Sequence, residues 1–299
     1  MAYDSYRHEV VLFGGSDGSG GPLDDTWTLK GRTWTMVQPS SHPGFLAVEV
    51  MAYDDRTHTS LLVGSSAFQG LAQTWSWDGT SWTRRPDLPL AGAEQPQSLA
   101  FDPVSGHALL LSVLKSGPNF DSPAQTRMWT WDGGAWTLGK PPPSFADTTG
   151  EARLAGVGGS SSRMGSGVLA LIEVALGSHE TWLWDGVTWS KRAAGDTPSY
   201  DPQLSSTIAE DQTTGDVVLI ASADSGTGNG QTWLWNGNTW RKGIRAPLAA
   251  TVYRSTFVLS DSTSSHAIVI GESLPGSLGN VFDVVWTFNG QRWVSDLGA

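Results

Sequence analysis

The 299-residue chain is 39% hydrophobic and 16% charged, with a net charge of −11 and a pI near 4.8. So acidic a balance lacks the basic surface that nucleic acid or an anionic membrane would attract, which excludes both as electrostatic partners. The absence of cysteine excludes disulfides, thiolate metal sites and Cys nucleophiles, and leaves the compartment open.

No run approaches the ~18 apolar residues of a membrane helix. The opening Met1-Ala-Tyr-Asp has neither the basic nor the apolar region of a signal peptide. The 36 glycines and 16 prolines supply the turns that an all-β chain needs. In chain order, the first segment reads as a short strand from Met1, a polar turn, and an apolar run over Val10–Phe13. A Gly-rich connection then leads to Thr26-Trp27…Gly31…Trp34. The closing phrase returns as Thr74-Trp75…Trp82, then at Trp129 to Trp136, Trp182 to Trp189, Trp233 to Trp240 and Trp286 to Trp293. All 16 tryptophans fall within these six phrases. Successive copies are 48 to 54 residues apart, a period that marks a repeat architecture.

Each phrase reads as a β-hairpin turning on Lys30-Gly31, Asp78-Gly79, Asp132-Gly133, Asp185-Gly186, Asn236-Gly237 or Asn289-Gly290. Asp-Gly and Asn-Gly favour two-residue type I′ turns, which places Trp75 opposite Trp82 and does the same in every copy. Upstream lie apolar runs at Leu61–Val63, Ala108–Leu111, Val168–Ile172, Val217–Ile220 and Ala267–Ile270. They do not alternate with polar residues, as in strands covered on both faces. One further strand precedes each run, so the unit is strand a, turn, strand b, loop, strand c, turn, strand d. Six such units predict an all-β fold, a six-bladed β-propeller with four antiparallel strands per blade. It forms one domain over 1–299, with blades near 1–38, 39–86, 87–140, 141–193, 194–244 and 245–299.

The phrases Met1-Ala-Tyr-Asp…Val-Val-Leu-Phe-Gly14-Gly15…Asp25-Thr-Trp-Thr and Met51-Ala-Tyr-Asp…Asp78-Gly-Thr-Ser-Trp resemble bacterial Kelch-type propellers, similar to the central domain of galactose oxidase. The diglycine survives only at Gly14-Gly15; later copies read Gly64-Ser, Ser112-Val, Glu173-Val, Ala221-Ser and Gly271-Glu. The Arg and His that many such repeats carry near strand a are replaced, for example by Leu46 and Glu49 or by Glu94 and Gln97. The copper chemistry of galactose oxidase does not transfer, because its Tyr–Cys cross-link has no Cys here. The resemblance favours a secreted or cell-surface setting, and it implies that ligands meet the face carrying the b–c and d–a connections.

That face also carries the long loops, Ser16–Asp25, Ser65–Gln73, Lys115–Arg127, Ser222–Gln231 and Glu272–Asp283, held by a rigid scaffold. The candidate ligand-binding residues at its channel rim are Glu49, Gln97, Glu151, Gln203 and Arg254, each beside the start of a strand a. Phe45, Phe68, Phe120, Phe145 and Tyr200 are loop aromatics that could contact a ligand, whereas the Trp ladder reads as core between blades. His8, His58, His107 and His266 read as equivalent a–b turn residues. Only His42 and His179 fall on the long-loop face, which is too few for a facial metal triad. No metal, cofactor, serine triad or phosphate loop is indicated. The expected function is a binding module, acting as a monomer, that holds a glycan, peptide or protein partner on the long-loop face. The alternative is a small-molecule hydrolase, epimerase or cyclase using acidic and aromatic groups at the channel mouth.

Overall fold

The computed structural model describes the chain outside residues 17–20, 32, 47, 66–71, 93, 115–124, 144–151, 159–161, 176–177, 193–196, 199–205, 223–229, 246–256, 261–266, 272–283 and 296–299. The described residues form six four-stranded antiparallel sheets, each ordered as its strands occur in the chain. In the first, β1–β4 are Ala2–Asp4, Glu9–Ser16, Pro22–Lys30 and Thr33–Val37; in the second, β5–β8 are Val48–Asp54, Thr59–Ser65, Ala72–Trp77 and Trp82–Leu88. The third holds β9–β12 at Glu94–Asp102, His107–Leu114, Gln125–Trp131 and Trp136–Leu138. The fourth holds β13–β16 at Ala152–Val157, Gly167–Ala175, Ser178–Trp184 and Trp189–Arg192. The fifth contains β17–β20 at Ser206–Asp211, Asp216–Ser222, Gly230–Trp235 and Trp240–Arg245. The sixth contains β21–β24 at Phe257–Ser260, Ala267–Gly271, Val284–Phe288 and Trp293–Ser295. Two compact units divide the chain, Met1–Ala152 and Arg153–Ala299.

The hairpin register differs from the expected one. Trp82 pairs with Trp77 rather than Trp75, and the same offset gives Trp131↔Trp136, Trp184↔Trp189, Trp235↔Trp240 and Phe288↔Trp293. The turn is built to match this register, which the first copy shares in Leu29↔Trp34. Asp78 Oδ1 accepts the N–H groups of Thr80 and Ser81 at 2.8 and 2.9 Å, so its side chain closes a four-residue loop that a two-residue type I′ turn would not need. Asp132, Asp185, Asn236 and Asn289 do the same, and the glycine after each has positive φ, between 84° and 100°. Those N–H bonds hold the Asp132 and Asp185 carboxyls below the ordinary carboxylate range. Lys30 has no such side chain, and there the ladder runs on to Lys30↔Thr33 with Leu29 opposite Trp34.

Four of the five corrected pairs face the preceding blade of their own unit. Trp75, Trp77 and Trp82 share a buried cluster with Val11 and Phe13 of the first sheet, while Trp129, Trp131 and Trp136 cluster with Leu61 and Val63 of the second. In the second unit, Trp233, Trp235 and Trp240 meet Leu169 and Leu171, and Phe288 meets Val218 and Ile220. Strand b is therefore apolar on both faces for a stated reason: Leu62 packs backward towards Phe13, and Leu61 and Val63 pack forward towards Trp129.

One hydrogen bond recurs between blades. Trp82 Nε1 donates to Thr26 Oγ1 at 2.9 Å and Trp136 Nε1 to Thr74 Oγ1 at 2.8 Å. Trp240 donates to Thr181 at 2.7 Å and Trp293 to Thr232 at 3.0 Å. All four threonines are buried to 1% exposure or less. The third and sixth copies carry Met128 and Val285 in place of this threonine.

The a–b turns follow a second rule. Asp4, Asp54 and Asp211 each accept two main-chain N–H groups of their own turn, and the fourth loop residue adopts positive φ. His8 (57°) and His58 (54°) hold that place, which Gly106 (71°) and Gly215 (69°) fill in the third and fifth sheets. His107 is thus not their equivalent, since it lies one residue on, opposite Asp102 in the ladder. His266 lies outside the described residues.

Thr74→Val leaves the buried Trp136 N–H without its acceptor, so it should cost about 1–3 kcal/mol in urea unfolding at an unchanged m-value. Thr74→Ser, which restores the hydroxyl, should recover most of the loss.

Candidate functional site

Two of the five rim candidates are described. Glu49 is half-buried on β5, opposite Gly64, and Gln97 is half-buried on β9. Glu151, Gln203 and Arg254 lie outside the described residues, as do Phe68, Phe120, Phe145 and Tyr200; Phe45 is exposed. No hydrogen bond or ion pair joins Glu49 to Gln97 among the described residues. Gln97 sits where the β9–β10 ladder slips between Leu111 and Ser112, and its Oε1 accepts the N–H of Ala152 at 3.2 Å.

Glu49 explains the diglycine. The β2–β3 ladder slips between Phe13 and Gly15, and Gly14 (φ 65°) lies beneath the Glu49 carboxylate. A Cβ on Gly14 would stand 2.7 Å from Glu49 Oε1, closer than real Cβ contacts allow. Burial pushes the Glu49 carboxyl up to about 7; the Met1 ammonium opposes the rise and the Asp25 charge adds to it.

Sequence reasoning missed a more fully built carboxylate in the next blade. Glu94 is 3% exposed and accepts from Ala91 N at 3.0 Å, Arg127 Nη1 at 3.1 Å and Trp129 Nε1 at 3.1 Å, with Ser112 Oγ as a fourth donor. Its lone pairs are taken, so the group fixes the blade rather than offering itself to a ligand. The signal was present at position 127. Two residues before the first Trp of the phrase, the first, second and fourth copies place an acceptor for that indole. Trp27 donates to Asp25 at 2.7 Å, Trp75 to Gln73 at 3.0 Å and Trp182 to Glu180 at 3.0 Å. Arg127 accepts nothing, so Trp129 turns to Glu94 and Ser112.

The first-Trp indoles are closed on their ring faces as well. The Arg84 guanidinium lies 5.3 Å from the Trp75 ring and Lys242 Nζ 5.3 Å from that of Trp233. Trp75, Trp129, Trp182 and Trp233 are all buried, as core residues between blades should be. Glu173 and His179 face each other across β14–β15, 1% and 4% exposed. His179 Nδ1 is 2.8 Å from the Pro198 carbonyl, and burial holds the imidazole down to about 4, so it is neutral at physiological pH. His42 is exposed, 3.5 Å from Asp24. Among the described residues no three His, Asp or Glu side chains group as metal ligands.

The raised Glu49 value fixes a pH dependence. The folded state binds this proton more tightly than the unfolded state, so stability is lost as pH rises from about 4.5 to about 7. Glu49→Gln should therefore match the parent Tm near pH 4.5 and exceed it at pH 8. A parent-like Tm profile for the variant would contradict a buried, protonation-sensitive Glu49.

No protein-family model and no curated protein matches the sequence. Solved structures do match it. A mutant of the Aleuria aurantia lectin in complex with Fucα1-6GlcNAc superposes with a TM-score of 0.64 at 12% identity, over 99% of this chain and 96% of that one. The SapL1 lectin in complex with α-methyl fucoside gives 0.60 at 13% identity, over 91% and 87%. A fungal lectin structure from Aleuria aurantia, described as a six-bladed β-propeller with a novel fucose recognition mode, gives 0.54 at 14% identity, over 82% and 75%. At such identities the likeness is one of fold alone: four-stranded antiparallel blades of a β-propeller.

Proposed function

We propose that this chain is a glycan-binding module on a six-bladed propeller of Kelch-type repeats, acting as a monomer. The observation that carries the reading is the fold match, over nearly the full length of both chains, to lectins solved with fucosides bound. The repeat supports six blades, and loop length supports the b–c and d–a face as the one that meets ligand. The rim candidates Glu49 and Gln97, with Glu151, Gln203 and Arg254 outside the described residues, are of the carboxylate, amide and guanidinium types whose donors and acceptors sugar hydroxyls need. The core tryptophans do not serve as stacking platforms on that face in this reading, because their rings are buried between blades and Trp82 and Trp136 spend their N–H groups on threonines of the preceding blade.

The enzyme alternative asks for acidic groups converging on one pocket. Glu94 and Glu173 are instead buried within their blades. A peptide or protein on the same face is the other occupant that the scaffold admits.

The test is a thermal-shift screen of the full chain against fucosides, other neutral glycans, acidic glycans and peptide pools. A ligand at 100 times its Kd that binds only the folded state adds about 2.7 kcal/mol, a visible rise in Tm. A glycan shift that falls in a Glu49→Gln/Gln97→Ala variant supports the module and its rim. A glycan shift that persists there moves the site elsewhere; a shift with peptides only overturns the glycan assignment.

A further inference from the structure

At the a–b turn end of the first unit, one blade junction is filled and the next is open. In the first blade Arg7 reaches across to the second. Its Nη1 donates to Asp4 Oδ2 at 2.6 Å and to the His58 carbonyl at 3.0 Å, and Nη2 donates to the Asp78 carbonyl. The guanidinium lies hard against Gly79, where a Cβ would stand 2.0 Å from Arg7 Nε. Tyr6 stacks on His58 at 4.3 Å, and Ser5 Oγ donates to Asp55, so the junction is stitched shut.

In the second blade the place of Arg7 is taken by Thr57, too short to cross. A cavity of about 90 Å³ opens there between the second and third blades. It is lined by Thr57, Gly106 and Gly133, which hold the places of Arg7, His58 and Gly79. This volume is several times the ~10–15 Å³ that one water needs. Phe101 and Trp131 contribute apolar wall.

Two cations stand on the lining, and neither has a carboxylate within hydrogen-bond distance. Arg56 Nη2 is 4.0 Å from Asp54 Oδ2, and Asp54 Oδ1 is occupied by the N–H groups of Arg56 and Thr57. Arg85 donates Nε to Ser76 Oγ at 2.9 Å, which fixes the plane of its guanidinium. Its terminal nitrogens have no acceptor among the described residues. Asp54 lines the cavity too and is shared by Arg56, so two guanidinium groups stand there against one carboxylate, in a chain with 29 Asp and Glu against 18 Lys and Arg. A planar, pre-oriented guanidinium matches a carboxylate or sulfate through paired N–H donors.

We propose that this cavity seats an acidic sugar residue, its carboxylate or sulfate held by Arg56 and Arg85 and its ring beside Phe101 and Trp131. The sugar rests on the glycan-binding reading above; the anion does not. The site lies at the opposite end of the blades from the long-loop rim, so the two are separable by mutation.

The experiment is isothermal titration of the full chain with a uronate oligosaccharide, its neutral counterpart and inorganic sulfate. Each is titrated into the parent, Arg56→Gln/Arg85→Gln and Thr57→Arg. Thr57→Arg rebuilds the filler of the neighbouring junction, so it should occlude the cavity while keeping the parent Tm, which separates loss of the site from loss of the fold. The expected result is acidic oligosaccharide bound about 10-fold or more tighter than the neutral one, with that margin lost in both variants. Equal affinity for the acidic and neutral sugars, unchanged by either variant, overturns the cavity and leaves the glycan reading standing. Sulfate binding as tightly as the oligosaccharide, and lost in both variants, overturns the sugar and leaves a free-anion site. No binding of any probe overturns the proposal, and neutral glycans that still shift Tm in the thermal screen would show that the broader reading survives it.

Discussion

The indole N–H that reaches back from strand d to a buried threonine of the preceding blade is the interaction on which the rest of the blade geometry depends. It requires the strand-d Trp on the backward face, deep enough for Nε1 to meet Thr26, Thr74, Thr181 or Thr232. That depth fixes the c–d register, and the register fixes the turn. Asp78 and its equivalents close a four-residue loop with their side chains because the ladder must end at Trp77↔Trp82. A single blade cannot bury its Trp pair alone, so the repeat acquires a packed core only against a neighbour. Each compact unit contains two such bonds, and the copies that end the units carry Met128 and Val285 where the acceptor would be.

Much of this was legible in the sequence, and the part that was misread has a physical cause. Six Trp phrases and six apolar runs reported four strands per copy, because period and burial are properties of the residues themselves. The pairing was misjudged by one pleat repeat. Asp-Gly has two uses, as the corner of a two-residue turn and as the start of a loop closed by the Asp side chain, and spacing does not separate them. Lys30-Gly31 shows that the register does not depend on that side chain, since its copy pairs Leu29 with Trp34 at the same offset and carries the ladder one pair further. The histidines show a similar limit. His8 and His58 were recognisable as turn residues, but their equivalence to Gly106 and Gly215 lies in positive φ, which no residue count displays.

The candidate rim was legible as a set of positions and not as a constellation. Glu49 and Gln97 align because each stands five residues before the aspartate that ends its strand a, yet what each touches is decided by a different blade: Gly14 beneath Glu49, Ala152 beside Gln97. Contacts between copies are long-range in sequence, so a within-copy alignment is blind to them. Glu94 shows the limit within one copy: its four donors come from three separate segments of its own blade, and only the oddity of Arg127 hinted at it.

The contrast between Arg7 and Thr57 shows how a repeat scaffold comes by a site. Both residues follow the same turn aspartate at the same distance, and both turns are closed by the same N–H bonds. The arginine is long enough to satisfy two carbonyls of the next blade and seals the junction. The threonine leaves that volume open. The backbone pays nothing for the change, because the turn is held by Asp54 and the blades by Trp136 and Thr74, not by the filler. Arg56 and Arg85 then border a space whose one lining acid, Asp54, is engaged by its own turn and by Arg56, so the repeat that builds the scaffold also supplies the opening, and a single short side chain converts structure into a place for a ligand.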